Sequence, residues 1–549
     1  MEKLNLKWVT DTIGKEYKQW NKGDIVTVQA QTGTGKTFFV KNKLITEMEI
    51  YEHMLIVANR INLKRQLKKD LLKNMRKEIP KDIKELDNMT NFGNVYIMSY
   101  QQIDAFLNAK EFGQTDFNLN FYDYIICDEA HYIFCDSGFN NKTDYSFYEL
   151  IRQNHTNAIK MFISATIEEI RPTIEKAFED NNKISFGIHK NKLWDYSTGT
   201  DYSYLNTKYF KSIKDIALTI KNDKSEDKWL VFVTKKDDAK KIAEILEGNK
   251  ETSIIDKNTE NEDLDEIINN NKFKSQVLIC TKCLDNGINI EDNNVKNIVV
   301  MAWDRITFVQ ELGRVRQDIE NPYEINLYIQ TKSKQSFQTL IDMVYKPKQS
   351  LIDEIEGTED GKIVEVISKE KQEELYDKFC AKYNRSYNKL SKDIFYIDKN
   401  GKWKTNLNGR VRLLKDRAFA EYMVQMFKDN KFAFVEEQLN WIGLDADYNN
   451  LIEDVIDSND TNKLEKWLEE HIDERIFSDE QQELSDLIIK ELTTIGNDVD
   501  YRTKKLKPMT IENILRVQLN LSYAIKEKGN NINPKNKKKQ RWIKIGKIS

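Results

Sequence analysis

The residues best suited to chemistry stand at 30–37, Ala30-Gln31-Thr32-Gly33-Thr34-Gly35-Lys36-Thr37. An apolar run, Ile25 to Ala30, precedes them and a helix-compatible segment follows. In that setting a glycine-rich turn wraps phosphate groups. Gly33 and Gly35, with Thr34 between them, let the backbone curl so that its N–H groups face an anion, and the helix N-terminus adds positive potential. Lys36 is then expected to reach the β- and γ-phosphates of a nucleotide, and the Thr37 hydroxyl to ligate Mg2+. Ala30 stands where the general pattern has glycine.

A second set is Asp128-Glu129-Ala130-His131, directly after the apolar run Tyr124-Ile-Ile-Cys. Two carboxylates at the C-terminal end of a buried strand suit two tasks: Asp128 holds Mg2+, partly through water, and Glu129 polarises an attacking water. Arg60, Ser99 and Gln101 follow two further strand-like runs, and such groups grip a phosphodiester backbone without reading bases. Lys64, Arg65, Lys68 and Lys69 fit the same use, or a solvated helix face. Ser164-Ala165-Thr166 ends another run, where small hydroxyl residues can link the acids to a strand-binding surface.

Beyond residue 200 the candidates continue. Thr234 is expected to N-cap a helix. Thr281 suits a phosphate contact, and Gly287, within Asp285-Asn-Gly-Ile-Asn289, lets backbone approach a ribose. Gln310-Glu-Leu-Gly313-Arg314-Val-Arg316-Gln317 supplies arginines that can neutralise γ-phosphate charge across a cleft.

Positioning these groups takes a parallel sheet covered by helices. Over the first 345 or so residues, short apolar runs alternate with charged amphipathic stretches. Expected strands are Ile25–Ala30, Met54–Ala58, Val95–Met98, Tyr124–Cys127, Met161–Ser164 and Lys183–Phe186. After a polar connection at 189–202 the pattern resumes with Trp229–Val233, Thr252–Ile255, Gln276–Cys280, Asn297–Met301 and Glu324–Ile329. The expected division is therefore 1–190, 191–345 and 346–549. The third part reads as helices near 410–429, 431–442, 461–473, 479–494 and 509–527, with a β-hairpin around Asp398-Lys-Asn-Gly401.

Composition sets the bounds. A chain of 549 residues, 40% hydrophobic, suggests two to four domains. Its mean hydropathy is −0.66, and no apolar run reaches the roughly 18 residues of a membrane span. No signal-like segment opens the chain, so a cytoplasmic location is expected. Five cysteines make no disulfide framework, and Cys280 and Cys283 lack a second pair to complete a zinc site. Net charge is −4, yet residues 526–549 hold nine Lys/Arg against one acid, Glu527. That tail suits phosphates, or is a solvated disordered end.

The order and spacing of AQTGTGKT, DEAH, SAT, the TxxxxxGIN segment and QxxGRxR resemble those of superfamily 2 helicases, over roughly residues 20–345. The resemblance implies an α/β chain with two tandem RecA-like lobes, parallel sheets in each, and ATP between them. A mostly helical C-terminal region containing the β-hairpin follows. By position it implies that Lys36, Thr37, Asp128 and Glu129 serve ATP and Mg2+, and that Gln310, Arg314 and a further arginine reach the nucleotide from the second lobe. The family motif usually runs QxxGRxxR, but position 317 is Gln, which makes Arg316 the nearest replacement. No adenine-recognising glutamine motif precedes the phosphate loop. The chain therefore looks more like DNA-directed phage, mobile-element or restriction-type members than DEAD-box RNA helicases. The expected activity is ATP-driven movement along nucleic acid, DNA rather than RNA. The alternatives are an ATP-driven sensor or loader that does not separate strands, and an RNA helicase. Residues 346–549 are a candidate surface for a protein partner, and no membrane is involved.

Overall fold

The computed structural model describes residues 2–59, 61–135, 143–153, 157–184, 191–256, 261–281, 289–359, 362–363, 367–383, 395–397, 402–445, 450–453, 463–494, 505–519 and 521–547. Strands are numbered in chain order. The first sheet holds β1 (Ile25–Gln29), β2 (Met54–Val57), β3 (Asn91–Phe92), β4 (Val95–Met98), β5 (Tyr124–Asp128), β6 (Ile159–Ser164) and β7 (Leu193–Ser197). Their order is β3-β4-β2-β5-β6-β1-β7, parallel except for β3 against β4. The second holds β8 (Leu205–Phe210), β9 (Lys228–Phe232), β10 (Thr252–Ile255), β11 (Val277–Cys280), β12 (Val295–Val300) and β13 (Ile325–Gln330). Its order is β10-β11-β9-β12-β13-β8, all parallel.

Strands such as Met54-Leu-Ile-Val57 are buried throughout, because helices cover both faces of a parallel sheet. Alternate residues feed opposite cores. Val26, Ile56, Ile126 and Met161 enter one cluster, while Leu55, Ile125, Cys127 and Phe162 enter the other. The second sheet divides likewise, with Leu230, Leu278 and Leu327 on one side and Trp229, Val231, Ile279 and Val299 on the other. Truncating one such side chain to alanine costs about 2–5 kcal/mol.

The C-terminal region is mostly helical and is knitted onto the lobes. On the helix Leu407–Met426, Ala420 and Met423 enter the core of the second sheet. The same helix touches the first lobe, where the Asn408 amide donates to the Ile133 carbonyl and Lys415 pairs with Glu169. Two small antiparallel pairs stand in this region, β14 (Thr358–Glu359) with β15 (Lys362–Ile363), and β16 (Phe395–Ile397) with β17 (Trp403–Thr405). The latter pair flanks residues 398–401, read from the sequence as a hairpin turn, which lie outside the described residues. A short strand, β18 (Leu451–Ile452), lies beside β8 and extends the second sheet. Leu464, Leu468, Leu484, Ile488, Ile514 and Ile545 belong to a separate hydrophobic cluster. Among the described residues no helix is long and apolar enough to cross a membrane.

Several expected elements differ. Lys183 and Ile184 close the helix Arg171–Ile184 instead of opening a strand, and the rest of 183–186 lies outside the described residues. Within the supposed connection at 189–202, Leu193–Ser197 is the edge strand β7, hydrogen-bonded to β1. The first sheet thus takes in residues beyond 190. Leu205–Phe210, absent from the expected strands, pairs with β13. The helix expected over 509–527 ends at Gln518. From Tyr523 the chain forms β19 (Tyr523–Ile532), antiparallel to β20 (Lys539–Lys547). The basic tail is therefore an ordered ribbon, because Tyr523, Ile543 and Ile545 anchor its base in the C-terminal core. Thr234 does not cap a helix; the helix Lys236–Leu246 begins one residue later than that role requires, with Lys235 at its N-cap.

Candidate active site between the lobes

The ends of β1, β5 and β6 bring the first-lobe motifs together, since β6 lies between the other two. After β1 the chain makes its glycine turn, with Gly33 and Gly35 at φ +93° and +83°. A side chain at either position is strained there, which is why glycine occupies both. Thr34 is fully buried, and its hydroxyl donates to the Gln31 carbonyl at 2.8 Å, tightening the loop. Lys36 opens the following helix and is buried. Lys36, Thr37, Lys64 and Asp128 border a small cavity whose remaining wall is apolar core, including Val40, Ile56, Ile97 and Ile126. Burial holds the Lys64 ammonium below its usual range.

Glu129 is the hub. Its backbone takes φ +48°, which a non-glycine residue adopts at a cost and which turns the side chain off the strand end. The carboxylate accepts from Lys36 Nζ at 3.1 Å and from Gln310 Nε2 at 3.3 Å. His131 Nδ1 lies 3.3 Å from it and 2.8 Å from Ser164 Oγ. Ser164 Oγ in turn lies 3.2 Å from Thr166 Oγ1. A continuous polar chain thus runs from Gln310 of the second lobe through Glu129 and His131 to the Ser164–Thr166 segment. Tyr100 reinforces the strand end by donating to the Asp128 carbonyl at 3.0 Å, and burial raises its hydroxyl pKa well above the ordinary range.

On the facing lobe, Gln310 lies in the helix Arg305–Leu312. The helix stops there, so Arg314 and Arg316 lie on a segment bridged to Ile290 and not on helical turns. Arg314 is buried. Arg316 donates to Asn289 Oδ1 at 2.6 Å, and Gln317 Oε1 accepts the Tyr323 backbone N–H at 3.0 Å. Gly313 faces Thr32, and the Gln317 carbonyl lies near Gly33, so the phosphate loop and this segment are in contact.

Two family models match the chain in the order of its sheets: "Type III restriction enzyme, res subunit" over residues 5–169, and "Helicase conserved C-terminal domain" over residues 208–317. The chain belongs to the superfamily 2 helicases. These helicase families imply ATP hydrolysis. No curated protein matches the sequence. Among solved structures, this helicase is similar to "S. cerevisiae Dbp5 bound to RNA and ADP BeF3", at 16% identity over 58% of this chain and 81% of that chain, TM-score 0.39. It is similar to Mss116p bound to ssRNA and AMP-PNP at 16% identity, over 78% of this chain and 91% of that one, TM-score 0.43. With Mycobacterium smegmatis helicase Lhr bound to ssDNA and AMP-PNP it shares 11% identity, over 73% of this chain and 58% of that one, TM-score 0.39.

The other expected residues of this helicase separate. Ser99 is an N-cap: its Oγ accepts the Gln102 N–H at 3.1 Å in a capping box that starts the helix Tyr100–Glu111. Gln101 is exposed on that first turn, and Thr281 follows β11 half-buried. Arg60 and Gly287, like Cys283, lie outside the described residues, while Cys280 is buried in β11. Arg65 and Lys68 form no solvated face. Arg65 makes a two-pronged pair with Asp87 at 2.8 and 2.6 Å, and Lys68 donates to the Leu86 and Asp87 carbonyls.

Two interactions carry no signal in the sequence. Gln31 is clamped to the connection between the sheets, donating to the Asp201 carbonyl and accepting its N–H, both at 2.8 Å. Arg305 pairs across the lobes with Glu168 at 2.5 Å. Nothing local marks either one, because each partner lies more than a hundred residues away.

Proposed function

We propose that this helicase is a nucleic-acid-stimulated ATPase that moves along DNA, with a first lobe that runs past the expected 190 to the end of β7 at Ser197, a second lobe to about 345 and an accessory region at 346–549. The observation that carries the reading is Glu129 held jointly by Lys36 of one lobe and Gln310 of the other. A water-activating carboxylate shared in this way is set only when the lobes close, which couples turnover to their movement.

The residues fit ATP and Mg2+. The glycine turn at Gly33 and Gly35 curls the backbone before the helix that Lys36 and Thr37 open, and Asp128, at the end of β5, stands beside that helix, so the donor set suits phosphate and a divalent metal. Bound Mg2+ neutralises charge on the phosphates. In this reading Lys36 holds the β- and γ-phosphates, and Glu129 accepts the proton of the attacking water. Arg314 and Arg316 place positive charge opposite from the second lobe. His131 and Ser164 carry the state of Glu129 to the strand-binding edge, where Ser99, Gln101, Thr281 and Arg60 are the proposed contacts and Gly287 approaches the ribose. The similarity to a restriction-enzyme subunit supports DNA over RNA.

Displacement of streptavidin from end-biotinylated DNA tests this directly. A translocase clears the end only with ATP. A sensor or loader hydrolyses ATP but leaves streptavidin bound, and that result would reject movement.

A further inference from the structure

A group of cations outside the motor cleft lies on the ribbon formed by β19 and β20. Lys528, Lys537, Lys538, Lys539 and Arg541 are exposed, and none has a carboxylate at ion-pair distance among the described residues. The register sorts the side chains. Lys528 pairs with Ile543, Asn530 with Arg541, and Ile532 with Lys539. These share one face, because directly opposed residues point the same way and alternate pairs repeat it. At the base that face is anchored by Ile543 in the C-terminal core, and beyond it the side chains of that face are exposed.

The ribbon is built to be stiff. On its other face Trp542 covers Gly529, where a β-carbon would stand 2.9 Å from the ring, and Arg475 stacks on the indole at 4.9 Å. The turn is ordered by buried Asn533, which accepts the Lys537 N–H and donates its backbone N–H to the Lys538 carbonyl. Its side chain donates to Gln540 Oε1 at 2.9 Å, and Lys535 ties the turn to Glu480 at 2.7 Å. A stiff element holds its cations in a fixed array, which a solvated tail does not.

We infer that this ribbon docks in the major groove of duplex DNA. That groove is about 12 Å wide and admits a two-stranded β-ribbon, whereas the major groove of A-form RNA is too deep and narrow for side chains to read. From Lys528 to Ile532 the exposed face spans about 14 Å at 3.4 Å per residue, the axial length of about four base pairs. The side-chain types fit as well. Asn530 and Arg541, paired side by side, are suited to purine edges, and Ile532, 60% exposed, to thymine methyl groups. The flanking lysines meet the phosphates. The inference rests on the DNA-directed reading above and adds a duplex-binding element outside the motor cleft.

Fluorescence anisotropy of the full chain on labelled duplex DNA, without nucleotide, tests the ribbon when the unmodified chain is compared with a ribbon variant. The Lys537→Ala/Lys538→Ala/Arg541→Ala variant is expected to bind roughly tenfold or more weakly, with the salt slope smaller by about 0.9 for each phosphate that is no longer neutralised. These side chains are exposed, and an unchanged thermal midpoint confirms the fold. Methyl green, a major-groove ligand, is expected to displace the protein and the minor-groove ligand netropsin to leave it bound. Duplex RNA should compete poorly. Unchanged affinity and slope in the variant, displacement by netropsin alone, or equal binding of duplex RNA would each overturn the inference. Because no ATP is present, duplex binding by a chain that fails to translocate would reject the motor and leave the ribbon standing.

Discussion

Gly313 of the second lobe lies so close to Thr32 of the phosphate loop that a β-carbon built on the glycine would stand 2.5 Å from the threonine Oγ1. Gly313 has an ordinary helical φ of −69°, so backbone freedom is not the reason for glycine here. The close approach is. Gly313→Ala is expected to hold the lobes apart by a fraction of an ångström to an ångström. Turnover should then fall by up to about 10²-fold, with a smaller change in ATP affinity. Steady-state kinetics beside nucleotide titration would show it, and a Gly313→Ala enzyme with normal kcat would mean that closure does not need this approach.

Glu129→Gln keeps the shape of the side chain but cannot take a proton from water. Turnover is expected to drop by about 10² to 10⁴-fold with ATP still bound, and nucleic acid should be held longer once ATP is added. Single-turnover hydrolysis and strand-release rates measure both. Release as fast as in the unmodified protein would remove Glu129 from the role of base.

The arginine segment separates three side chains by their surroundings. Arg314 is buried at the meeting of the lobes, Arg316 is steered by Asn289, and Gln317 holds the turn to Tyr323. On a continuing helix Arg316 would point about 100° away from position 317. The helix ends at Leu312, so that constraint does not apply. Arg314→Ala is expected to be the most damaging, Arg316→Ala to lower kcat more than ATP affinity, and Gln317→Ala to be the mildest. A nearly silent Arg316→Ala would leave Arg314, or an arginine from elsewhere, as the finger.

The motifs are legible in the sequence because each is short, local and placed at a strand end. The run before Asp128 announces β5, and glycine spacing announces the turn at 33–35. What escapes depends on distant partners. Leu193–Ser197 has the sequence LWDYS, too polar to read as a core strand, and it forms because β1 offers a free edge. The ribbon at 523–547 is obscured by its lysines: only Tyr523, Ile525, Ile543 and Ile545 alternate, and the six-residue turn between the strands carries no Asn-Gly or Asp-Gly signal. Ser99 reads as a backbone-gripping hydroxyl, and Gln102 three residues on also marks it as the N-cap of a capping box. The link from Glu129 to Gln310 is implied by motif order, and the clamp of Gln31 on Asp201 is not implied by anything local.

Two buried lysines give the fold a pH signature. Lys160, in β6, donates to the Leu150 and Gln153 carbonyls, and burial brings its ammonium down from 10.5 to about 8. Lys68 is brought to about 8 in the same way. Between about pH 8 and 10.5 the unfolded chain holds protons that the folded chain has released, so stability rises with pH across that window. Below it the burial penalty is present in full. Lys160→Met should flatten part of the rise, by about 1–2 kcal/mol. Chemical denaturation between pH 7 and pH 9.5 checks this, and equal slopes for the two proteins would show that Lys160 does not titrate in this window.

The proposal that Lys36 and Glu129 form an ATPase centre driven by nucleic acid meets its sharpest test in steady-state ATP hydrolysis. The unmodified chain and Lys36→Ala are each assayed alone and with single-stranded DNA, duplex DNA or RNA. The expected result is a slow basal rate, marked stimulation by DNA and less by RNA, and loss of at least about 10²-fold in a folded Lys36→Ala protein under every condition. Hydrolysis indifferent to all three nucleic acids, or near-normal turnover by Lys36→Ala, would contradict it.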